Sequence, residues 1–422
     1  MKWTDLEEQV ILCIKCGACQ QVCPIFRELR SEASVARGKI NLMKAVVCGD
    51  LNPATESFAE RMSWCLSCKA CQENCPRGVR FDQMLVAARN LLAAKDGRSR
   101  KRLLLRLGLK HRRLFNAALQ FGSVGQRLFF RRGPNGEGML PRLPMGLDLR
   151  RLVASLATLP FRSRHPQVVK APGATRKVAF FTGCMVNYLY PEIGDAVLTV
   201  LGHNGVTVTI PPTQHCCGTP AYYSGDVATA MELAKATVDT FAGLNVDAVV
   251  TACGSCGATL RNEYPELLKD EPSYAERSCA LARKTIDFTE LLADHGLQGK
   301  LAPVQRTVTY HDSCHLARGQ KVKQQPRSLI TSIPGVSLKE MQQPAACCGG
   351  AGSFSLQHYD LSLKISRHKV DSILATQADT LAIGCPMCIM HMRDSFNQNG
   401  VTTKVVHTAE LLAAAYDADK SK

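Results

Sequence analysis

The sequence predicts a multidomain α+β protein: a helical N-terminal domain built round two cysteine groups, a basic linker, and two duplicated α/β cysteine-rich domains with short parallel sheets. Three observations carry that prediction. Two cysteine runs of identical spacing lie within the first 80 residues, short apolar strands alternate with helical segments after Lys177, and the alternation occurs twice, its cysteines offset by 130 to 132 residues. With 422 residues and 45% hydrophobic content the chain has room for several ordinary cores.

The first run is Cys13-x-x-Cys16-x-x-Cys19-x-x-x-Cys23-Pro24 and the second is Cys65-x-x-Cys68-x-x-Cys71-x-x-x-Cys75-Pro76. In the bacterial ferredoxin spacing three close cysteines wrap one [4Fe-4S] cube while the fourth points to the other. Cys13, Cys16, Cys19 and Cys75 are therefore expected to hold the first [4Fe-4S] cluster, and Cys65, Cys68, Cys71 and Cys23 the second. Four-cysteine zinc sites are the alternative, but they rarely use this spacing ended by Cys-Pro. Residues 35–44 and 57–62 between the runs, and Phe81 to Leu92 after them, read as amphipathic helices. Arg37 and Lys39 read as solvated bases on a surface helix, with neutralisation of cluster charge as the sharper alternative. Cys48 and Cys279 fall outside every motif; Cys48 reads as a small buried apolar residue, and Cys279 as a structural thiol in a segment, Tyr274 to Thr289, that looks helical.

Twenty cysteines raise the question of disulfides. The first eight residues carry acids where a secretory signal needs an apolar core, so reduced thiols in the cytoplasm are expected. No window of 18 mainly apolar residues exists, which points to a soluble or peripheral protein on the cytoplasmic face of the inner membrane.

The formal charge of +16 is local: residues 89–170 hold 19 Lys or Arg against three acids, and the rest of the chain sums to zero. Arg98 to Leu107, His111 to Phe115 and Leu128 to Arg132 interleave bases with Leu and Phe, a pattern suited to an anionic membrane surface. The competing expectation is a connector that wraps the other domains or docks on an acidic partner. No nucleic-acid recognition motif is visible, so no nucleic-acid partner is expected.

From Lys177 onward each short strand delivers a cysteine group. Val178 to Phe181 precedes Cys184, Val206 to Ile210 precedes Cys216-Cys217-Gly218, and Ala248 to Thr251 ends at Cys253-Gly254-Ser255-Cys256. In the second copy Val308 to Tyr310 precedes Cys314, Val336 to Leu338 precedes Cys347-Cys348-Gly349, and Thr380 to Ile383 ends at Cys385-Pro386-Met387-Cys388. So small a drift marks a duplication. Parallel α/β sheets gather ligands at the carboxyl ends of their strands, so Cys184, Cys216, Cys217, Cys253 and Cys256 are expected to form one centre. Cys314, Cys347, Cys348, Cys385 and Cys388 are expected to form a second. Five sulfurs exceed the four of a cube or a zinc site, which suggests a further, noncubane iron-sulfur cluster or a spare redox-active thiol, with zinc in one copy as the alternative. Gly218 and Gly349 are expected to permit close backbone approach to the centres. His215, His311 and His315 flank these cysteines and are read as packing or surface residues, outside the ligand sets.

The paired Cys…Cys-Cys-Gly…Cys-x-x-Cys patterns resemble the CCG domains of heterodisulfide reductase subunits. Behind an eight-cysteine domain, the chain resembles the iron-sulfur subunit of glycolate oxidase and D-lactate dehydrogenase, and the anaerobic glycerol-3-phosphate dehydrogenase C subunit. The stretch Ala36-Arg37-Gly38-Lys39-Ile40-Asn41-Leu42-Met43 is similar to the glycolate and lactate branch. The division implied is a double-cluster ferredoxin domain over 1–88, a basic linker over 89–172, and CCG domains over 173–300 and 301–422. The resemblance implies a subunit without a substrate site of its own, which takes electrons from an FAD-containing dehydrogenase and passes them to a quinone or another respiratory carrier. No Gly-x-Gly-x-x-Gly follows a strand, in keeping with a flavin held elsewhere. The rival expectation is disulfide reduction at a CCG cluster. In either case Cys347-Cys348-Gly349 is expected at the distal end of the electron path, and catalytic residues are not assigned.

Overall fold

Why the strands form where they do follows from their composition: β-branched and aromatic runs, of which Val178 to Phe181, Val249 to Thr251, Val308 to His311 and Thr380 to Ile383 are buried on both faces, as parallel strands covered by helices require. The computed structural model describes residues 6–95, 112–144 and 146–417. A small antiparallel hairpin pairs β1 (Phe130–Arg132) with β2 (Met139–Pro141). The first larger sheet holds β3 (Val168–Val169), β4 (Arg176–Phe181), β5 (Val206–Thr209), β6 (Ala248–Thr251) and β7 (Thr285–Asp287), in the order β3-β5-β4-β6-β7. All its pairings are parallel except that of the edge strand β3. The second sheet holds β8 (Arg306–His311), β9 (Val336–Leu338), β10 (Thr380–Ile383) and β11 (Lys404–His407), in the order β11-β10-β8-β9 and wholly parallel. With β3 set aside the two orders are the same, so the duplication is structural as well as sequential.

Register places the cysteines. Phe181 lies opposite Thr251 and His311 opposite Ile383. The loops that carry Cys184, Cys253, Cys314 and Cys385 therefore leave their sheets at matching edges. The copies share one continuous apolar core. The helix Pro191–His203 of the first packs on Thr408–Asp417 of the second, where Asn204 donates to the Tyr416 hydroxyl at 3.0 Å.

Two expectations fail here. Cys48 is exposed rather than buried. The stretch Tyr274 to Thr289 is not a single helix: the structure has a helix at Ala275–Lys284, then β7, then a helix at Phe288–His295. β-branched Thr285 and Ile286 favour extension, and Asp287 with Glu290 forms a capping box that starts the next helix.

The N-terminal domain is helical, with Leu6, Ile40, Met43, Phe58, Met62, Met84 and Leu85 in its own core. It docks on both copies. Val86 packs with Ala221, Tyr222 and Tyr223 of the first, while Ile25, Leu66 and Ala70 pack with Phe354 and Ile365 of the second. Arg89 ties the first contact by donating to the Met62, Cys65 and Tyr223 carbonyls at 3.1, 3.1 and 2.7 Å.

The basic linker divides in two. Residues 148–169 wrap both copies: Arg151 donates to the Ser355 carbonyl and hydroxyl at 2.7 Å each, and the Leu152 amide donates to Asp394 at 2.8 Å. Phe161 is fully buried against the first copy, worth roughly 1.5–3 kcal/mol as an apolar side chain. It sits where Gly194 leaves room, since a Cβ there would lie 2.5 Å from the Phe161 ring. The preceding helix, Arg112–Phe129, instead leaves Phe121, Val124 and Leu128 more than three-quarters exposed. The Arg98–Leu107 stretch lies outside the described residues.

Candidate metal centres

Both N-terminal motifs wind tightly, and the backbone shows how. Lys15 and Gly17 flank Cys16 with left-handed φ values of 58° and 86°; Ser67 and Lys69 flank Cys68 with 53° and 60°. Left-handed backbone at three non-glycine residues is strained, and the repetition at matching positions marks a turn that curls round a fixed point. One cavity is lined by Cys13, Cys16, Cys19, Cys71 and Cys75. A second is lined by Cys23, Cys65, Cys68 and Cys71. Every cysteine of the chain is a free thiol. Burial pushes Cys23 up to about 12 and raises Cys19 and Cys71, and burial together with the neighbouring Cys347 raises Cys68, so thiolates here need positive charge beside them. Four soft sulfur donors round a small enclosed space fit an iron-sulfur cube.

Lys39 is not a solvated base as its sequence context suggests. It is 1% exposed, donates to the Ala33 and Ser34 carbonyls, and is drawn toward Cys65 and Cys23 while burial lowers its pKa. Arg37 remains partly exposed, donating to the Lys15 carbonyl at 3.0 Å and to Glu32 at 2.6 Å.

The ten CCG cysteines form a line of thiols, each interacting with the next. In the first copy it runs Cys184, Cys216, Cys217, Cys256, Cys253. Cys253 then meets Cys385, and the line continues through Cys388, Cys348 and Cys347 to Cys314. Each group of five comes together at the ends of its own strands, and the two groups touch each other. Neighbouring thiols donate to Cys217 and Cys348 and hold both well below the ordinary thiol pKa.

Cys347 also reaches Cys68 of the N-terminal domain. This corrects the expected order: Cys347-Cys348-Gly349 lies nearest the N-terminal cavities, and Cys184 with Cys216 lies farthest along the line. Gly218 and Gly349 require a second correction. Both have left-handed φ, at 85° and 87°, but a Cβ on Gly349 would meet the Ser362 carbonyl at 2.7 Å and one on Gly218 the Ala230 carbonyl at 3.5 Å. Gly349 admits the neighbouring helix rather than the centre, whereas at Gly218 a Cβ would make an ordinary contact and only the left-handed φ favours glycine.

A family model described as a 4Fe-4S dicluster domain matches residues 9–79, and the CCG cysteine-rich domain model matches residues 178–261 and 308–393. A Bacillus subtilis protein named "Probable glycolate oxidase iron-sulfur subunit" is 35% identical over 97% of this chain and 94% of its own length. The chain belongs to the glycolate oxidase iron-sulfur subunit family. A Methanothermobacter marburgensis protein, named as one of the subunits of a "Fumarate reductase (CoM/CoB)", is 27% identical over 96% of this chain and 72% of its own length. The Bacillus cytotoxicus "Lactate utilization protein A" is 35% identical over 56% of this chain and 98% of its own length.

In this member of the glycolate oxidase iron-sulfur subunit family several charged and imidazole groups stand beside the centres without a signal in the local sequence. Lys369 is 1% exposed and donates to the Gln343 and Pro344 carbonyls at 2.6 and 3.0 Å; burial lowers it to about 8 against the pull of Cys348 and Cys347. Arg318 donates to the Cys68 and Ala345 carbonyls at 3.2 and 2.6 Å and pairs with Glu73 at 2.9 Å. Lys369 lies in a regular helix and Arg318 in a short π-helical turn, and nothing in the local pattern distinguishes either from a solvated base. His315 bonds the Ser67 carbonyl at 3.0 Å and so serves docking, as a packing residue would. His311, His391 and His407 are buried near the second group, and burial lowers them to about 3, 4 and 4. Comparison of the two copies could have singled out His311, because the corresponding position in the first is Phe181. Among the described residues no helix is long and apolar enough to cross a membrane.

Proposed function

We propose that the chain is the electron-transfer iron-sulfur subunit of a flavin-dependent 2-hydroxyacid dehydrogenase complex of the lactate or glycolate type. It takes electrons from a flavoprotein partner and passes them to a quinone or another carrier. The observation that carries the reading is that Cys68 of the N-terminal domain and Cys347 of the second CCG copy are neighbours that line one cleft. In this reading Cys13, Cys16, Cys19 and Cys75 hold one [4Fe-4S] cluster and Cys65, Cys68, Cys71 and Cys23 the other. Cys184, Cys216, Cys217, Cys253 and Cys256 form the first CCG centre, and Cys314, Cys347, Cys348, Cys385 and Cys388 the second, as iron ligands. Bound clusters supply one-electron relay sites. The chain's own residues exclude water and set the charge: Lys39 stands by the second N-terminal set, and Lys369 with Arg318 by Cys347 and its neighbours. The names of two relatives support the substrate class: those named for glycolate oxidase and lactate utilization match at 35% identity.

The helix Arg112–Phe129 supports a seat on an anionic membrane at the cytoplasmic face, since Phe121, Val124 and Leu128 share one helical face in a basic segment. Deleting the chain should abolish hydroxyacid-dependent acceptor reduction while a flavoprotein co-purifies with the intact chain. Undiminished acceptor reduction without it would refute the proposal.

One observation favours a second reading, disulfide reduction at a CCG cluster. A basic cleft of about 830 Å³, lined by Arg27, Arg30, Arg318 and Lys369, opens onto Cys347. Reduction of a disulfide by the isolated chain with an artificial electron donor would support it.

A further inference from the structure

His311 ends β8, inside the second copy, and is 1% exposed. Neither of its ring nitrogens has a hydrogen-bond partner. The Pro344 carbonyl lies beside the ring but already accepts from the Asp312 amide at 3.1 Å and from Lys369 at 3.0 Å. Burying a polar ring with nothing to bond is unfavourable, so a ligand is called for.

The direction in which that ligand lies is fixed by two sulfurs. A ring nitrogen of His311, Sγ of Cys348 and Sγ of Cys388 all lie within 4.8 Å of one another, and all three residues are buried. They come from three separate elements: the end of β8, the Cys-Cys-Gly loop, and the first turn of the helix Pro386–Asn399. Nitrogen and sulfur ligands of one tetrahedral metal ion stand roughly 3.5–3.8 Å apart, given bonds of about 2.0–2.1 and 2.3 Å. Only a small contraction separates the observed triangle from that geometry.

The first copy shows that the fold does not demand a histidine. Phe181 ends β4 at the matching place, 130 residues earlier, the same offset as Cys184 to Cys314. Its ring packs against Phe241 at 5.7 Å, an apolar solution to the same position.

We propose that His311 is a nitrogen ligand of the second CCG centre, bound to the same iron as Cys348 and Cys388, so that the duplicated centres differ in their donor sets. This rests on the reading that the second centre holds iron. A neutral imidazole beside thiolates raises a cluster's reduction potential relative to an all-thiolate set, as nitrogen ligation does in other iron-sulfur centres.

The test uses the full chain, purified anaerobically, labelled with ¹⁵N-histidine and poised through a redox titration. Pulsed electron paramagnetic resonance should find a directly coordinated histidine nitrogen on one signal. His311→Phe, which installs the first copy's residue, should remove that coupling, and His311→Cys should shift the midpoint of the same signal downward. Iron and sulfide well above about eight atoms each per chain, together with no coordinated nitrogen in the unmutated protein, would overturn the ligand assignment alone. A coupling that survives in His311→Phe would do the same. Iron and sulfide that stop at about eight would overturn the iron reading of the CCG centres and the assignment with it. The measurement on the unmutated protein decides the matter even where a variant fails to fold.

Discussion

Lys69 follows Cys68 directly and stands where the N-terminal domain meets the first CCG copy, so Lys69→Met tests whether buried charge holds the electron path together. Its ammonium lies 3.0 Å from Asp82 and 3.0 Å from Glu263, with side chains 10%, 9% and 5% exposed, and Tyr223 donates to the same Glu263 oxygen at 2.9 Å. At an effective dielectric of 20 each attraction is roughly 5 kcal/mol before desolvation is subtracted. Removing the cation leaves two carboxylates buried together, and breaking such a pair destabilises by about 3–5 kcal/mol. Burial already raises the Glu263 pKa, with Lys69 opposing it. Without Lys69 the carboxyl must protonate or unfold, so the variant should lose more stability as pH rises. The assays are denaturant unfolding and the rate of reoxidation of the N-terminal clusters by the CCG centres, which should slow as Cys68 draws away from Cys347. Adding Asp82→Asn and Glu263→Gln to Lys69→Met should restore most of the loss. A single-variant effect below about 1 kcal/mol, or a triple variant no more stable than the single one, would refute the reasoning.

Three further outcomes are expected. Cys75→Ser should cost the cluster site shared with Cys13, Cys16 and Cys19, seen as loss of about four iron atoms, and should spare the site of Cys23 and Cys65; loss of both would show that the fourth ligands are assigned wrongly. Replacing Phe121, Val124 and Leu128 together by Asp should abolish co-sedimentation with anionic vesicles and, because all three are exposed, change unfolding little; retained binding would exclude this helix as the membrane face. Asp287 is buried and pushed up to about 7, so between about pH 4 and 7 the folded chain holds a proton that the unfolded chain has lost. Stability should therefore fall as pH rises through that window, by up to about 1.4 kcal/mol per pH unit, and Asp287→Asn should flatten the slope measured by denaturant unfolding.

The cysteine arithmetic and the strand-helix alternation were legible because each is local. Metal-ligand spacing and short apolar runs can be read within a dozen residues. The thiols of Cys68 and Cys347 could not be joined from sequence, since 278 intervening positions carry no record of which surfaces dock. Lys39 and Lys369 look like solvated bases for the same reason: a helix shows its own face in its pattern, but not the element that covers that face. β7 escapes notice because a three-residue strand between two helices leaves no turn residues to announce it.

What the two copies do differently follows from positions that the duplication makes comparable. Around Cys217 the first copy places hydroxyls: the Thr219 hydroxyl lies 3.1 Å from the sulfur and 2.5 Å from that of Thr259. The matching positions round Cys348 are Gly350 and His391, and a Cβ on residue 350 would lie 2.5 Å from that of His391. The close approach of residue 391 leaves no room for a side chain at residue 350. With Phe181 matched by His311, the same five-cysteine frame is bordered by hydroxyls and a phenyl ring in one copy and by imidazoles in the other. Hydrogen-bond donors and nitrogen ligands near sulfur raise a cluster's potential. On the proposed ligation by His311, the two centres would differ in potential along one line of thiols.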